Sequence, residues 1–374
     1  MVSLARKNLL HDRLRFAITV SGVAFAVTLV LVQVGLFVGL LAKSTVTIEH
    51  AAADIWITSR ETPNVDFAHN FSETTVLRVR GVPGVARADN LLVQFMNIQL
   101  PSGAEEGCLV YGLQDFTAWK LPWKIAEGDS QDLRRGQYVF MDRSAEQRFG
   151  PFQVGEHREI LGRRFKIVGA TREAASFTTA PIVFMDFRQV QELSEISAHK
   201  TSYVLVKVAP GADPEAVTAR LRERLPFNDV YTKDQWARKS RTYWVSSTGL
   251  GMNMGITVFL GVLVGIVVVA QTLYTSAVEH VKEFGTVKAI GGSNWDIYRI
   301  LGEQAVIAAL LGFALGGALS WALRPAMAKL YLNVQISAGF ALAVLLGTVL
   351  MCLGAAMLSF RRVATIDPAL VFRA

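Results

Sequence analysis

The sequence predicts an α-helical membrane protein: four transmembrane helices, with a two-lobed α/β extracytoplasmic domain inserted between helices 1 and 2. Three observations carry the prediction. Of 374 residues, 51% are hydrophobic and only 18% charged, against about a quarter charged in an ordinary soluble chain. The apolar residues concentrate in four uncharged runs, 16–42, 245–278, 304–323 and 330–360. Residues 43–244 hold 26 Lys/Arg and 25 Asp/Glu, so their charge nearly cancels, while the whole chain is +7. The excess positive charge therefore flanks the apolar runs, as membrane topology requires. It forms no basic stripe on a folded domain, which argues against a nucleic-acid partner.

The elements follow in order. Residues 1–15 carry Arg6, Lys7, Arg13 and Arg15, and are read as a cytoplasmic N-terminal segment. The first run is 27 residues long, too long for a signal-peptide core, and predicts an uncleaved span. The second, of 34 residues, is about 50 Å long as a helix and must tilt or protrude as a stalk. A loop at 279–303 returns to the cytoplasmic side. The third span is 304–323, a short outer loop 324–329 follows, and the fourth span is 330–360. The tail 361–374 is cytoplasmic, beside Arg361 and Arg362. Lipid is thus a direct neighbour of the chain. Tyr243, Trp244 and Trp321 are placed for an outer aromatic belt, and Trp295 and Tyr298 for an inner one.

Within 43–244, Ile55, Trp56 and Ile57 alternate as in a strand, and so does 93–100. Val204, Val206 and Val208 share one strand face. Pro210-Gly211 marks a turn, Asp213-Pro214 an N-cap followed by proline at N1, and Val217, Leu221 and Leu225 an apolar helical stripe. Residues 201–232 therefore read as β-α-β, with a related unit over 53–100. Shorter strand candidates at 138–141, 159–161, 165–168 and 181–184, set between glycines, suggest an inserted β-rich lobe over 112–198. The split β-α-β lobe takes 46–110 and 200–240.

The spans contain no Asp, Glu, Lys, Arg or His, which argues against an ion-coupled carrier. Glycines recur at four-residue spacing as Gly35/Gly39, Gly251/Gly255, Gly261/Gly265 and Gly312/Gly316, a pattern that lets helix backbones approach closely, within the chain or across a homodimer. No G-x-x-x-x-G-K-[ST] and no G-x-S-x-G occurs. The histidines have no metal-ligand spacing, so neither a catalytic, a cofactor nor a metal site is expected. Cys108 and Cys352 are read as unpaired.

The loop 279–303 is the most informative stretch. Glu283 to Ile290 can form a short helix ended by Gly291-Gly292, with Ser293 or Asn294 capping the next. Glu283-Phe284-Gly285, Lys288-Ala289-Ile290-Gly291-Gly292-Ser293, Asp296-Ile297 and Glu303 resemble the inner-loop pattern of FtsX/MacB-type permeases of ABC transporters, as does the ending Arg361-Arg362 with Asp367-Pro368-Ala369. The layout of one span, a large outer domain and three spans agrees. The run from Arg15-Phe16 through Gly22 to Val27, with Gln33-Val34-Gly35, is most similar to the DevC branch, in which the ATPase is a separate polypeptide.

The resemblance implies a homodimeric permease of the bacterial inner membrane, with both termini cytoplasmic and a periplasmic domain of MacB-like kind. Two copies of a separate ATPase supply Mg-ATP hydrolysis. They contact Glu283, Phe284, Gly285, Val287, Lys288, Ala289, Ile290, Gly291 and Gly292. A periplasmic membrane-fusion adaptor and an outer-membrane channel complete an export path for a lipid, glycolipid or peptide-like substrate. Three other readings stay open: an FtsX-like mechanotransmitter acting on a cell-wall hydrolase, a lipoprotein-releasing permease, and an ATPase-independent membrane receptor.

Overall fold

The computed structural model describes residues 13–134, 136–177, 180–193, 198–279, 286, 293–329 and 332–363. In chain order these form α1 (Arg13–Lys43), α2 (Val46–His50), β1 (Ile55–Ser59), β2 (Phe71–Ser72), α3 (Thr75–Arg80), β3 (Val85–Gln99), β4 (Glu105–Leu113), β5 (Ile125–Glu127), β6 (Tyr138–Asp142), α4 (Glu146–Phe149), β7 (His157–Ile160) and β8 (Arg163–Thr171). Then come β9 (Ile182–Asp186), α5 (Phe187–Leu193), β10 (Lys200–Thr201), β11 (Tyr203–Val208), α6 (Pro214–Arg224), β12 (Asn228–Thr232) and α7 (Lys233–Thr242). A π-helical turn (Tyr243–Ser247) leads to α8 (Leu250–Glu279), α9 (Asn294–Lys329) and α10 (Ala338–Val363). Two compact units result, Met1–Gly39 with Leu250–Ala374, and Leu40–Gly249.

Among the described residues, the first unit holds four helices long and apolar enough to cross a membrane. Their core joins Val23, Val27 and Leu31 of α1 to Val269 and Leu273 of α8, Leu301 and Ala305 of α9, and Ala355 of α10. The structure redraws three boundaries. Gly249 takes a left-handed φ of 70° and interrupts the long second run. Residues 243–247 thus continue α7 as a π turn, and α8 starts only at Leu250. The third helix runs through the expected outer loop 324–329 to Lys329 with Pro325 inside it; Ala326, Met327 and Ala328 are strong helix formers that favour continuation. The fourth helix begins at Ala338 and not at 330. Residues 332–337 form no helix, and the Ser337 hydroxyl accepts from the Phe340 amide at 3.2 Å to cap α10.

The second unit is built on one ten-stranded sheet, ordered β12-β1-β11-β3-β4-β9-β6-β8-β5, with β7 pairing β3 and β8. Its β12-β1-β11-β3 half, crossed over by α3 and α6, is a split β-α-β arrangement. Strand alternation sorts the side chains. Ile55, Ile57, Val204, Val206 and Val230 face α3 and α6, against Val76, Val79, Val217 and Leu221. Trp56, Tyr203 and Leu205 face the other way, toward Ile48 and Trp236. Asp213 caps α6 as its sequence predicts, accepting from the amides of Glu215 and Ala216. The β-rich part is not a separate lobe at the level of the sheet. The 15-residue β3 pairs β11 through its first half and β4 through its second. β4 in turn pairs β9 in parallel, from Leu109↔Ile182 to Leu113↔Asp186.

Candidate functional site

The predicted coupling residues Glu283, Phe284, Gly285, Val287, Lys288, Ala289, Ile290, Gly291 and Gly292 lie outside the described residues. The structure does show the two stems that carry them. The first stem is α8, whose last residue, Glu279, receives a two-pronged bond from Arg15 near the start of α1. Nη2 donates to Oε1 at 2.6 Å and Nη1 to Oε2. The second stem opens on a reciprocal cap. The Ser293 hydroxyl accepts from the Asp296 amide at 3.3 Å, and the Asp296 carboxylate accepts from the Ser293 amide at 2.7 Å and hydroxyl at 2.8 Å. Both stems are therefore fixed by their own bonds where the chain enters and leaves the segment. The sequence offers Ser293 or Asn294 as the cap, and the structure uses Ser293. The Arg15 bond is not legible in the sequence, where Arg15 reads as a topology charge and its partner lies 264 positions away.

The glycine pairs separate into those that touch a neighbour and those that do not. A Cβ on Gly312 would meet Val23 Cγ1 at 2.5 Å, and one on Gly316 the Ala24 carbonyl oxygen at 2.7 Å, so α9 approaches α1 through both. Gly261 would meet Leu29 at 2.9 Å and Gly265 would meet Ala26 at 2.9 Å, which brings α8 onto α1. Among the described residues, Gly35 and Gly39 have non-helical nearest neighbours. They face the extended segment 333–336: Gln335 N–H donates to the Gly35 carbonyl at 3.0 Å, and a Cβ at Gly39 would overlap the Asn333 carbonyl. Gly255 meets nothing within 4 Å among the described residues, and Gly251 lies in the first turn of α8.

In the second unit, the lead-in to α8 is held by aromatic packing. Trp244, read from sequence as part of a lipid belt, is instead only 6% exposed. Its ring stacks on Phe177 with centroids 3.7 Å apart, and Phe67 packs on it at 5.7 Å. Trp295 and Trp321, by contrast, are 69% and 72% exposed. The Phe177 amide donates to Asp66 Oδ2 at 3.2 Å. Asp66 is 3% exposed; burial pushes its carboxyl up to about 7, with the Phe177 bond pulling the other way. Nothing in the loop sequence Asn64-Val65-Asp66-Phe67 marks this carboxylate as buried.

A polar cleft of about 590 Å³ opens beyond the carboxyl ends of the parallel strands β4 and β9, between Asp115, Arg134, Asp186 and Arg188. Partial burial disfavours the Asp115 anion, but bonds from Arg134 and Arg87 outweigh that and hold its carboxyl below the usual range. Among the described residues no group of three or more His, Cys, Asp or Glu could hold a metal ion, and Cys108 and Cys352 are free and buried.

The fold and these stems define a multi-pass membrane protein whose α/β domain is threaded between its first and second spanning helices. Residues 16–224 match the family of MacB-like periplasmic core domains, and residues 255–368 the FtsX-like permease C-terminal family. The chain belongs to the FtsX-like permeases that carry a MacB-like periplasmic core domain. An uncharacterised ABC transporter permease of Mycobacterium tuberculosis is 26% identical over 364 residues, covering 96% of this chain and 95% of that one. A second uncharacterised permease of the same organism is 24% identical, over 100% of this chain and 99% of its own length. Among solved structures, the periplasmic region of MacB from Actinobacillus actinomycetemcomitans is similar over 50% of this chain and 92% of that one, at 10% identity and a TM-score of 0.39. The extracellular domain of the transporter YknZ is similar over 48% and 99%, at 14% identity and 0.36. The chain is thus an ABC transporter permease with a periplasmic or extracellular domain, a class that lacks the ATPase domain and implies an ATPase partner.

Proposed function

We propose that this permease passes the ATP-driven motion of a separate ATPase to its outer domain, in a homodimer carrying two ATPase copies. The observation that supports it best is the extent of the likeness: chains described as ABC transporter permeases align with 96–100% of this one. No phosphate-binding loop occurs in the sequence, so Mg-ATP is bound by the partner. The segment Glu283–Gly292 docks in the ATPase. Its stems, pinned at Glu279 and Ser293, carry the displacement into α8 and α9. Both termini lie in the cytoplasm of a bacterium, and the chain sits in its inner membrane. A membrane-fusion adaptor and an outer-membrane channel receive the stroke and export a lipid, glycolipid or peptide-like amphiphile.

The test is isolation of the intact complex from native membranes in mild detergent. Recovery of an ATPase with an adaptor supports export. Recovery with a cell-wall hydrolase replaces export by mechanical regulation, recovery with a lipoprotein replaces it by lipoprotein release, and no ATPase at all overturns the proposal. In the reconstituted complex, Gly285→Asp or Ile290→Asp uncouples ATP hydrolysis from transport while the outer domain stays folded. Normal coupling in both variants removes the docking role.

A further inference from the structure

We propose that Asp66 is a proton-operated catch: protonated, it holds the lead-in to α8 on the α/β domain, and ionised, it releases it. The geometry is a clamp with one root. Trp244, in the π turn that precedes α8, is gripped by two rings. Phe177 stacks on it with centroids 3.7 Å apart, and Phe67 packs on it at 5.7 Å. Phe67 also meets the neighbouring Tyr243 at 6.5 Å. Asp66 joins the two jaws. It directly precedes Phe67 in the chain, and its Oδ2 accepts from the Phe177 amide at 3.2 Å. One buried carboxyl therefore positions both rings that hold Trp244.

The carboxyl has no counter-charge. Asp66 is 3% exposed, and among the described residues no Lys, Arg or His is ion-paired with it. From β4 and β11 it is faced by the hydroxyls of Tyr111 and Tyr203, both fully buried and held neutral by that burial. Neither offers it a proton. Tyr203 donates to the carbonyls of Asn64 and Val65, at 3.1 and 2.9 Å, and the Tyr111 hydroxyl is bonded to Thr47 of α2 at 3.0 Å. Asn64 Oδ1 accepts from the amides of Asp66 and Phe67, while its Nδ2 has no partner. On the Phe177 loop, Glu173 answers to Lys124 and Lys43; on α7, Arg241 is spent on Glu49. His69, on the same loop as Asp66, is exposed. The Phe177 amide is thus the one bond that favours the anion, and burial outweighs it. A buried charge without a partner is driven to water or neutralised. Ionisation therefore favours a state in which Asp66 swings out, takes Phe67 with it and drops the Phe177 amide, so both jaws open. With the carboxyl pushed up to about 7 in the closed clamp, against an ordinary 3.8 in water, closure is complete below about pH 4 and weakens as pH rises toward 7. The domain lies outside the membrane, so the catch reads the outer medium. This inference is independent of the ATPase reading.

The experiment uses the full chain in nanodiscs, grown with 5-fluorotryptophan and followed by fluorine NMR. Trp244→Phe identifies the Trp244 signal, and Trp56 and Trp236, which are fully buried in the core of the same unit, serve as controls. Between about pH 5 and 7.5 the ratio of closed to solvent-exposed Trp244 signal should fall by roughly tenfold or more, while Trp56 and Trp236 stay in place. Asp66→Asn should keep Trp244 closed across the range. Asp66→Ser, which also lacks the charge, should show the same flat profile and serves if the first variant does not fold. His69→Gln should respond as the native chain does. A Trp244 signal that ignores pH overturns the proposal. So does a native-like response in the folded Asp66 variants, loss of the response in His69→Gln, or movement of Trp56 and Trp236 together with Trp244, which would make the effect a general loosening of the domain.

Discussion

Arg15 and Glu279 join the start of α1 to the end of α8 through two parallel guanidinium–carboxylate bonds, one of them 2.6 Å long. The pair is half-exposed, at 34% and 48%, so its contribution to stability is small, roughly 0–1 kcal/mol. Its consequence is geometric. The last residue of α8 is tied to α1 immediately before the segment proposed to dock the ATPase, and on that proposal a displacement entering there reaches both helices together. Arg15→Glu should lower ATP-coupled activity several-fold with the thermal midpoint nearly unchanged. The double exchange Arg15→Glu/Glu279→Arg should restore most of it. A double-exchange variant as impaired as the single one shows that the pair is not what transmits.

Glycine contacts give a graded packing prediction. Gly39→Ala places a methyl group on the Asn333 backbone carbonyl, and Gly316→Val drives into Ala24 and Val27. Overpacking of this kind costs about 1–3 kcal/mol. Each variant should lower the thermal midpoint of the detergent-solubilised protein. Gly255→Ala, with nothing within 4 Å of its Cβ position among the described residues, should leave the midpoint unchanged or raise it slightly.

What the sequence reveals and what it hides divides along range. Asp213-Pro214 with Val217, Leu221 and Leu225 announces α6, because cap, proline and stripe are all local signals within a dozen residues. The four spans are as plain, because charge exclusion is a property of each run alone. The continuity of the sheet is hidden, since β4 and β9 are parallel neighbours separated by most of the β-rich part. Trp244 is misread for the same reason: the stacking partner that buries it, Phe177, is far away in sequence. Gly35 and Gly39 have a helix-packing signature, yet they serve an extended segment, 333–336, that an apolar run had absorbed into a span.

Burial of Asp66 predicts a pH dependence. The native carboxyl, pushed up to about 7 from an ordinary 3.8, binds its proton more tightly than in the unfolded chain. Its stabilising contribution is therefore complete below about pH 4 and is lost as pH rises through about 7. The span corresponds to roughly 4 kcal/mol at most. Tyr111 and Tyr203, which interact with it, are themselves pushed further up by burial and stay neutral throughout. Asp66→Asn retains an oxygen for the Phe177 amide and removes the charge. In urea titrations followed by tryptophan fluorescence, the native chain should lose stability between about pH 4 and 7, and the variant should lose less. Parallel pH profiles would assign the slope to other groups.

Trp244 anchors the lead-in to α8 against Phe177 and Phe67. Truncation of a buried aromatic costs about 3–5 kcal/mol, so Trp244→Ala should loosen the π turn and the loop around Phe177 together. Hydrogen exchange at the Phe177 amide, which is bonded to Asp66, should accelerate by tenfold or more. Trp244→Phe retains a stacked ring and should keep most of the protection. Unchanged exchange in Trp244→Ala would detach the lead-in from that loop.

Sidedness can be read with a single thiol, because Cys108 and Cys352 are both buried. Gln131 is exposed on the surface of the second unit, and Gln131→Cys should therefore react with a membrane-impermeant maleimide in intact cells or spheroplasts. The unmodified chain gives the background from its two buried thiols. Labelling before lysis places the α/β domain outside, as the flanking charges Arg6, Lys7, Arg13 and Arg15 require. Labelling that appears only after lysis inverts every span. It would then set Glu283–Gly292 on the side without ATP, so this one reaction tests the topology and the energy source together.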